Sequence, residues 1–158
     1  MRVLVTGSNG YIGTVLSAML TEQGHTVLGV DNNLQAVDPP GIFLRRFRTS
    51  FEHPFVAKNI MMYNIDKIVH LAASSTVGPD AKDPVTYYWN NTGNTATFLK
   101  NLIDEGWAGQ FVFASTAAVY GVGKDSLTEA DPVAPFNVYG RSKLYCEDII
   151  NSMQSLYD

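Results

Sequence analysis

Three features of this sequence combine residue types and spacings that can do chemistry. The first is the run Thr6-Gly7-Ser8-Asn9-Gly10-Tyr11-Ile12-Gly13. Placed at a strand-to-helix turn, Gly7 permits a tight bend, Gly10 lets backbone approach a pyrophosphate, and Gly13 lets a helix pack closely on a sheet. Amides at the helix start and the positive end of its dipole then face the anion. On its own the pattern is as often a structural turn as a nucleotide site. The second feature, Asp31, shifts that balance: an acid at the end of the next strand accepts both hydroxyls of an adenosine ribose and repels a 2′-phosphate. Together they predict NAD. NADP would need a nearby Arg or Lys, and Asn32-Asn33 supplies neither.

The third feature is Tyr139-Gly140-Arg141-Ser142-Lys143. Four-residue spacing puts phenol and ammonium on one face of a helix. A free tyrosine has a pKa of about 10, too high for a base at neutral pH, so a neighbouring Lys143 and an oxidised nicotinamide would favour the phenolate. Lys143 could also bind the nicotinamide ribose. A Tyr–Lys pair at this spacing is common by chance as a surface pair. Its position distinguishes it here, because it follows Phe113-Ala114-Ser115-Thr116-Ala117-Ala118-Val119-Tyr120-Gly121 at the end of a predicted strand, and ligands of parallel sheets bind beyond the carboxyl ends of strands.

These residues need a frame. Arg2 to Thr6 is apolar on both faces and predicts a central strand of a parallel sheet. Tyr11 to Gln23 carries Ile12, Val15, Leu16, Met19 and Leu20 at helical spacing and stops at Gly24. Thr26 to Val30 reads as a second buried strand ending at Asp31. Ile42 to Phe47 predicts a short third strand after the break at Pro39-Pro40-Gly41, and Pro54 to Tyr63 a helix. Lys67 to Ala73 and Gln110 to Ser115 predict strands four and five, alternating with helices over Pro84 to Glu105 and Phe136 to Leu156. This alternation implies a doubly wound parallel sheet in a three-layer αβα Rossmann fold. The 158 residues, 46% hydrophobic, suffice for one domain.

The glycine turn, Asp31, His70-Leu71-Ala72-Ala73, Asn90-Asn91, the segment around Thr116 and the Tyr139–Lys143 pair together resemble the extended short-chain dehydrogenase/reductases of the NAD-dependent epimerase/dehydratase type. The resemblance covers essentially the whole chain. It implies Thr116 as the hydroxyl that orients a substrate oxygen, Tyr139 as acid and base, Lys143 as its electrostatic partner and Asn91 as a supporting residue. It implies a cofactor held by Gly7, Asn9, Gly10, Tyr11, Ile12 and Gly13, by Asp31 and Asn32, and by Leu71, Ala72, Ala73 and Ser75, with Asn91, Tyr139 and Lys143 completing the set. The family's 4,6-dehydratases carry an Asp-Glu pair after the threonine, where this chain has Ala117-Ala118. Dehydration is thereby disfavoured. The start of the second loop at Asp31-Asn32 looks most like UDP-sugar 4-epimerases, which oxidise C4 of a nucleotide sugar transiently to a 4-keto intermediate. An NAD-dependent keto-sugar reductase and a non-catalytic NAD-binding module are the competing readings.

The chain departs from the family in three places. Phe47 and Arg48 align where the third strand usually ends in an acid that holds adenine. Ser75 stands where UDP-galactose 4-epimerases commonly carry a Lys. Family members also continue into a domain that grips the nucleotide sugar, and that domain is absent from this sequence, whose last helical pattern runs out at Tyr157-Asp158. The helices over Pro84 to Glu105 and Phe136 to Leu156 resemble those that pair across the family's dimer interface, which implies a homodimer.

Other features read as structure. The net charge of −4 gives no footprint for nucleic acid, and Arg45, Arg46 and Arg48 read as a solvated turn. His70 reads as a core histidine, Tyr87-Tyr88-Trp89 as packing and interface residues, Met61-Met62 as core filling, and Cys146 as a buried inert thiol. No Cys/His spacing suggests a metal site. One cysteine, no apolar stretch able to span a bilayer and no leader-like N-terminus predict a soluble cytoplasmic protein without a membrane partner.

Overall fold

The computed structural model describes residues 1–35, 40–75, 83–121 and 126–157. Pro39 of the predicted break and Asp158 lie outside them. The elements are β1 (Arg2–Thr6), α1 (Tyr11–Glu22), β2 (Thr26–Asp31), β3 (Arg45–Arg48), α2 (Pro54–Met62), β4 (Lys67–His70) and α3 (Pro84–Tyr87), which leads into a π-helical turn (Tyr88–Gly93). They continue as α4 (Asn94–Asp104), β5 (Gln110–Phe113), a 3₁₀ turn (Ala117–Tyr120) and α5 (Val138–Tyr157).

All five strands pair in parallel in the order β3-β2-β1-β4-β5. The chain winds outward from β1 through β2 to β3, then crosses back to β4 on the other side of β1. That reversal defines a doubly wound Rossmann-like αβα fold, and its switch point lies between β1 and β4. Two compact units divide the residues: Met1–Ala73 with Thr97–Ala114, and Ser74–Ala96 with Ser115 onward.

The first unit holds the whole sheet. Alternation along the strands sends Val3, Val5 and Val27 to one face, where Leu20, Phe43, Val69 and Leu71 pack on them. On the other face His70, with no exposure, sits among the rings of Phe51, Phe98, Phe111 and Phe113 at centroid distances of 4.6 to 5.9 Å. The Thr6 hydroxyl lies 2.7 Å from His70 Nδ1 and accepts the amides of Leu71 and Ala72, each at 3.1 Å. With its acceptor sites so used, the hydroxyl donates to Nδ1, and the imidazole is neutral. β4 ends at His70, short of the predicted Ala73: the Leu71 amide divides between the Thr6 carbonyl at 3.3 Å and the Thr6 hydroxyl, and the Ala72 amide turns to the hydroxyl.

Three sequence expectations need correction. In α1 the buried residues are Gly13 and Ser17, while Ile12, Val15 and Met19 are 63%, 47% and 51% exposed. A Cβ on Gly13 would lie 2.2 Å from the Gly7 carbonyl oxygen, so contact with the turn sets the rotation of the helix and apolar periodicity does not. Ser17 is tolerated inside because its hydroxyl donates to Gly13 O at 2.7 Å. Met61 and Met62 are exposed, because α2 turns Val56, Ala57 and Ile60 inward. The arginine cluster is strand β3 and not a turn: Arg45 to Arg48 pair in register with Leu28 to Asp31. Charged side chains suit such an edge strand.

The second unit is built on α5, α3, the π turn and the 3₁₀ turn. The predicted helix over Pro84 to Glu105 is interrupted at Tyr88–Gly93 by the π turn, a distortion that periodicity cannot register and that is common at functional sites. Asp83 caps its start by accepting the Val85 amide at 2.9 Å. Val119 is buried, and its carbonyl accepts Ala134 N at 2.8 Å.

Candidate active site

The glycine turn at the end of β1 is shaped by backbone. Gly7 has φ +66°, its amide donates to Val30 O at 2.9 Å, and its carbonyl accepts Gly10 N at 3.0 Å. A Cβ on Gly7 would stand 2.8 Å from Ala72 N, so the chain leaving β4 passes directly over the turn. Leu71, Ala72 and Ala73 are half-buried there. Gly10 is the N-cap of α1 and makes no side-chain cap bond, which leaves the first amides of the helix for a ligand. Around Gly10 a Cβ would meet only the Gly7 carbonyl. Tyr11 and Ile12 are exposed at the mouth of the turn.

Asp31 ends β2 beside this turn. Its carboxylate accepts Asn9 N and Asn33 N, one on each oxygen and each at 2.9 Å. A carboxylate has about four lone-pair sites, so two acceptor positions are left for the hydroxyls of a ribose. The Asn9 side chain donates to Asn33 O at 3.2 Å and accepts from Arg46 Nη1. Asn32 is exposed. A cradle that a Cβ would fill, uncapped amides and an acid with acceptor capacity to spare together fit a dinucleotide such as NAD.

The second unit carries Thr116, Tyr139, Lys143, Asn91 and Ser75, the last exposed. Thr116 is the N-cap of the 3₁₀ turn, its hydroxyl accepting Ala118 N at 3.2 Å. The same side chain stands close enough to the Tyr139 phenol to pull its pKa down. A Cβ on Gly140 would lie 2.6 Å from Ala118 O, so the first turn of α5 presses on the 3₁₀ turn and glycine is what allows Tyr139 to reach Thr116. Burial pushes the Tyr139 phenol above its ordinary 10.0, against the pull of Thr116. One turn on, Lys143 is only 2% exposed. Burial lowers its ammonium to about 8, while Cys146 and Glu147 work in the opposite direction.

Asn91 ties this region together. Its Oδ1 accepts Ser74 N at 2.7 Å, and its Nδ2 donates to Ser74 O at 3.0 Å and Ser142 Oγ at 2.9 Å. Ser142 in turn donates to Tyr139 O at 2.8 Å. The Cys146 thiol, buried and raised in pKa chiefly by desolvation, donates to Asn91 O at 3.2 Å. Both donors and one acceptor position of the Asn91 amide are thus engaged by the chain's own groups.

Residues 3–158 match the NAD dependent epimerase/dehydratase family. The chain belongs to that family. It is 38% identical to the UDP-glucose 4-epimerase of Lacticaseibacillus casei over 96% of its own length and 46% of the relative's. With the UDP-glucose 4-epimerase of Halalkalibacterium halodurans it shares 35% identity over 99% of its length and 47% of the relative's. Among solved structures it is similar to a UDP-glucose 4-epimerase from Stenotrophomonas maltophila with bound NAD and formylated UDP-arabinopyranose. There the TM-score is 0.87 at 29% identity, covering 100% of this chain and 50% of that one. The chain therefore spans about half the length of the relatives it matches.

Four residues of the site were given no role in it by the sequence reading. Ser74 and Ser142 bracket Asn91, Glu147 accepts from Ser115 Oγ, and Arg46 reaches Asn9. Glu147 alone was findable, because it lies four residues after Lys143 on the same helix. The others depend on which strands and helices become neighbours.

Among the described residues no group of His, Cys, Asp or Glu could hold a metal ion. No helix among them is long and apolar enough to cross a membrane.

Proposed function

We propose that this chain is the NAD-binding, catalysis-bearing domain of a nucleotide-sugar 4-epimerase acting on a UDP-sugar, with the sugar nucleotide gripped by a further domain outside residues 1–158. The observation that carries the reading is Thr116 standing close enough to the Tyr139 phenol to lower its pKa, with buried Lys143 one helical turn away, in a chain 35–38% identical to UDP-glucose 4-epimerases.

Gly7, Gly10 and Gly13, with the amides of Tyr11 and Ile12, would hold the pyrophosphate. Asp31, with Asn9 and Asn32, would hold the adenosine ribose, and Leu71, Ala72, Ala73 and Ser75 would wall the cofactor. When bound, NAD supplies an acceptor and then a donor of hydride at C4 of the sugar. Thr116 orients the C4 hydroxyl through its own. Tyr139 takes the hydroxyl proton and returns it after the 4-keto sugar has presented its other face. Since burial raises the phenol, Tyr139 stays protonated until positive charge stands beside it. Lys143 titrates at about 8, so at neutral pH it provides that charge as an ammonium. Asn91 and Ser142 position Tyr139 through its backbone carbonyl.

The exposed Val85, Trp89 and Tyr145 of α3, the π turn and α5 support a homodimer through these helices. A strictly monomeric mass by light scattering would exclude it. The single free thiol supports a reducing, cytoplasmic setting.

Calorimetric titration with NAD, followed by NMR of UDP-glucose and UDP-galactose incubated with the NAD-loaded protein, tests the proposal. Interconversion without net NADH change is expected. Stoichiometric NADH consumption would instead make the protein a reductase, and NAD binding without turnover of any sugar nucleotide would leave a binding module.

A further inference from the structure

We propose that Glu147 is a positioning residue of the Tyr139–Lys143 site: it holds the segment beyond β5 against α5 through Ser115, and it stands as a negative charge one turn beyond the Lys143 ammonium. The inference rests on the reading of Tyr139 and Lys143 as the pair that handles the proton.

Tyr139, Lys143 and Glu147 recur every four residues of α5 and so form one row, about 12 Å from first to last. Two members of the row already have their place. Thr116 stands beside the Tyr139 phenol, and Lys143 is buried. Glu147 is the third: its Oε1 accepts from the hydroxyl of Ser115, the residue before Thr116. Two consecutive residues beyond β5 are therefore met by side chains at opposite ends of the row, with Lys143 between those ends. The π turn fixes the same stretch of α5 from another side. Thr92 Oγ1 donates to Ser142 O at 3.0 Å, and Asn91 Nδ2 donates to Ser142 Oγ at 2.9 Å.

A hydrogen bond between an exposed serine and a half-buried glutamate adds little to folding, since water replaces it readily. The charge that comes with it acts differently. Burial lowers the Lys143 ammonium to about 8, and Cys146 and Glu147 oppose that loss. Burial also raises the Cys146 thiol above its ordinary 9.0, so near neutral pH the thiol has no charge with which to oppose. The Glu147 carboxylate is the member of this row that does. On α5 itself Arg141, Tyr145 and Asp148 are exposed. α3, the π turn and the 3₁₀ turn pack against α5 and contain as titratable groups only the phenols of Tyr87, Tyr88 and Tyr120, with no Asp, Glu, Lys, Arg or His. An ammonium shielded from solvent feels a carboxylate one turn away strongly. By keeping Lys143 in the charged form that Tyr139 needs, Glu147 acts on the proton without touching it.

The test uses the full chain as wild type, E147Q, E147D and S115A. Glutamine keeps an acceptor for Ser115 and removes the charge, aspartate keeps the charge, and S115A removes the hydrogen bond alone. NMR of isotope-labelled lysine side chains, with K143M identifying the signal, follows the Lys143 ammonium as pH is raised. We expect its midpoint to fall by about half a unit to one unit in E147Q, and by less than half as much in E147D. The alkaline limb of UDP-sugar turnover should move down with it, in kcat and not in KM, because Glu147 reaches the reaction through Lys143. Because Ser115 is exposed, S115A reads the hydrogen bond even where a change at Glu147 disturbs the fold. It should lower kcat by about threefold through a loosened Thr116 and leave the Lys143 midpoint in place. A midpoint unmoved in E147Q would overturn the proposal, as would one moved equally by E147D, or an S115A variant with unaltered kcat. Wild type that turns over no sugar nucleotide would overturn the epimerase reading, and the Lys143 titration in E147Q would still decide the part played by Glu147.

Discussion

The glycine turn and the Tyr–Lys region solve opposite problems. In the turn, backbone does the shaping: Gly7 and Gly13 leave no room for a Cβ, and among the described residues the Asp31 carboxylate accepts two backbone amides. Its side chain keeps acceptor capacity for a ligand. Around Tyr139 the shaping falls to side chains. Asn91, Ser142 and Thr116 spend their donors and acceptors on one another and on nearby backbone, and a lysine is buried to 2% exposure. A site that binds an anion can rely on oriented amides, whereas a site that moves a proton must fix the pKa and position of particular side chains. The first region should therefore tolerate side-chain loss in folding while losing affinity, and the second should pay in stability, in turnover, or in both.

The largest expected effect falls on Tyr139, whose phenol carries the proton in the proposed reaction. Tyr139→Phe should lower the rate of UDP-sugar epimerisation by about 10³-fold, within the range for removing a general acid–base group. NAD affinity should change by less than about twofold, because the phenol does not hold the dinucleotide phosphates. Unchanged turnover would remove Tyr139 from the mechanism, and a parallel loss of NAD affinity would erase the contrast between the regions.

The next effect is on stability. Lys143 titrates at about 8 in the fold against an ordinary 10.5. Between those values the unfolded chain binds more protons than the folded one, so stability rises with pH through this window. Below pH 8 the cost of burying the ammonium is felt in full, about 3 kcal/mol at most. Cys146, whose thiol is raised by burial, opposes the trend above its own ordinary pKa, so the comparison must be made within pairs. Urea unfolding of wild type and Lys143→Met between pH 7.5 and about 10 isolates the lysine. The stability advantage of the methionine variant should shrink as pH rises, and an advantage that stays constant would mean that Lys143 is better solvated than its burial implies.

The same division explains what could be read beforehand. The glycine turn was legible because backbone geometry forbids Cβ at positions close in sequence, and Asp31 because it ends the next strand. The fold class followed from strands that are apolar on both faces. The orientation of α1 was only partly legible: Leu20 packs on the sheet, but Ile12, Val15 and Met19 point outward, since the requirement at Gly13 outranks their burial. Nor was the π turn, because one extra residue in a helical turn leaves the apolar spacing nearly unchanged. Arg46 looked like part of a charged loop for a related reason. Its meaning comes from the register of β3 against β2, a contact between residues far apart in sequence.

The smallest effects separate the regions by folding alone. Asn91→Ala would leave Ser74 N, Ser74 O and Ser142 Oγ without their shared partner in a buried setting, at a cost of about 2 to 3 kcal/mol. Asp31→Ala removes an acceptor from the Asn9 and Asn33 amides, but at a half-exposed position where water can replace it, so the cost should be under about 1 kcal/mol. Chemical denaturation of the two variants without cofactor measures the difference directly. Calorimetry should then reverse the ranking, with Asp31→Ala losing about tenfold or more in NAD affinity through its missing bonds to the ribose. Asn91→Ala, once folded, should bind nearly as wild type. If Asp31→Ala proved the more destabilising of the two, the carboxylate would be a structural brace for the turn, and its placement beside a ribose would have to be argued from bound geometry alone.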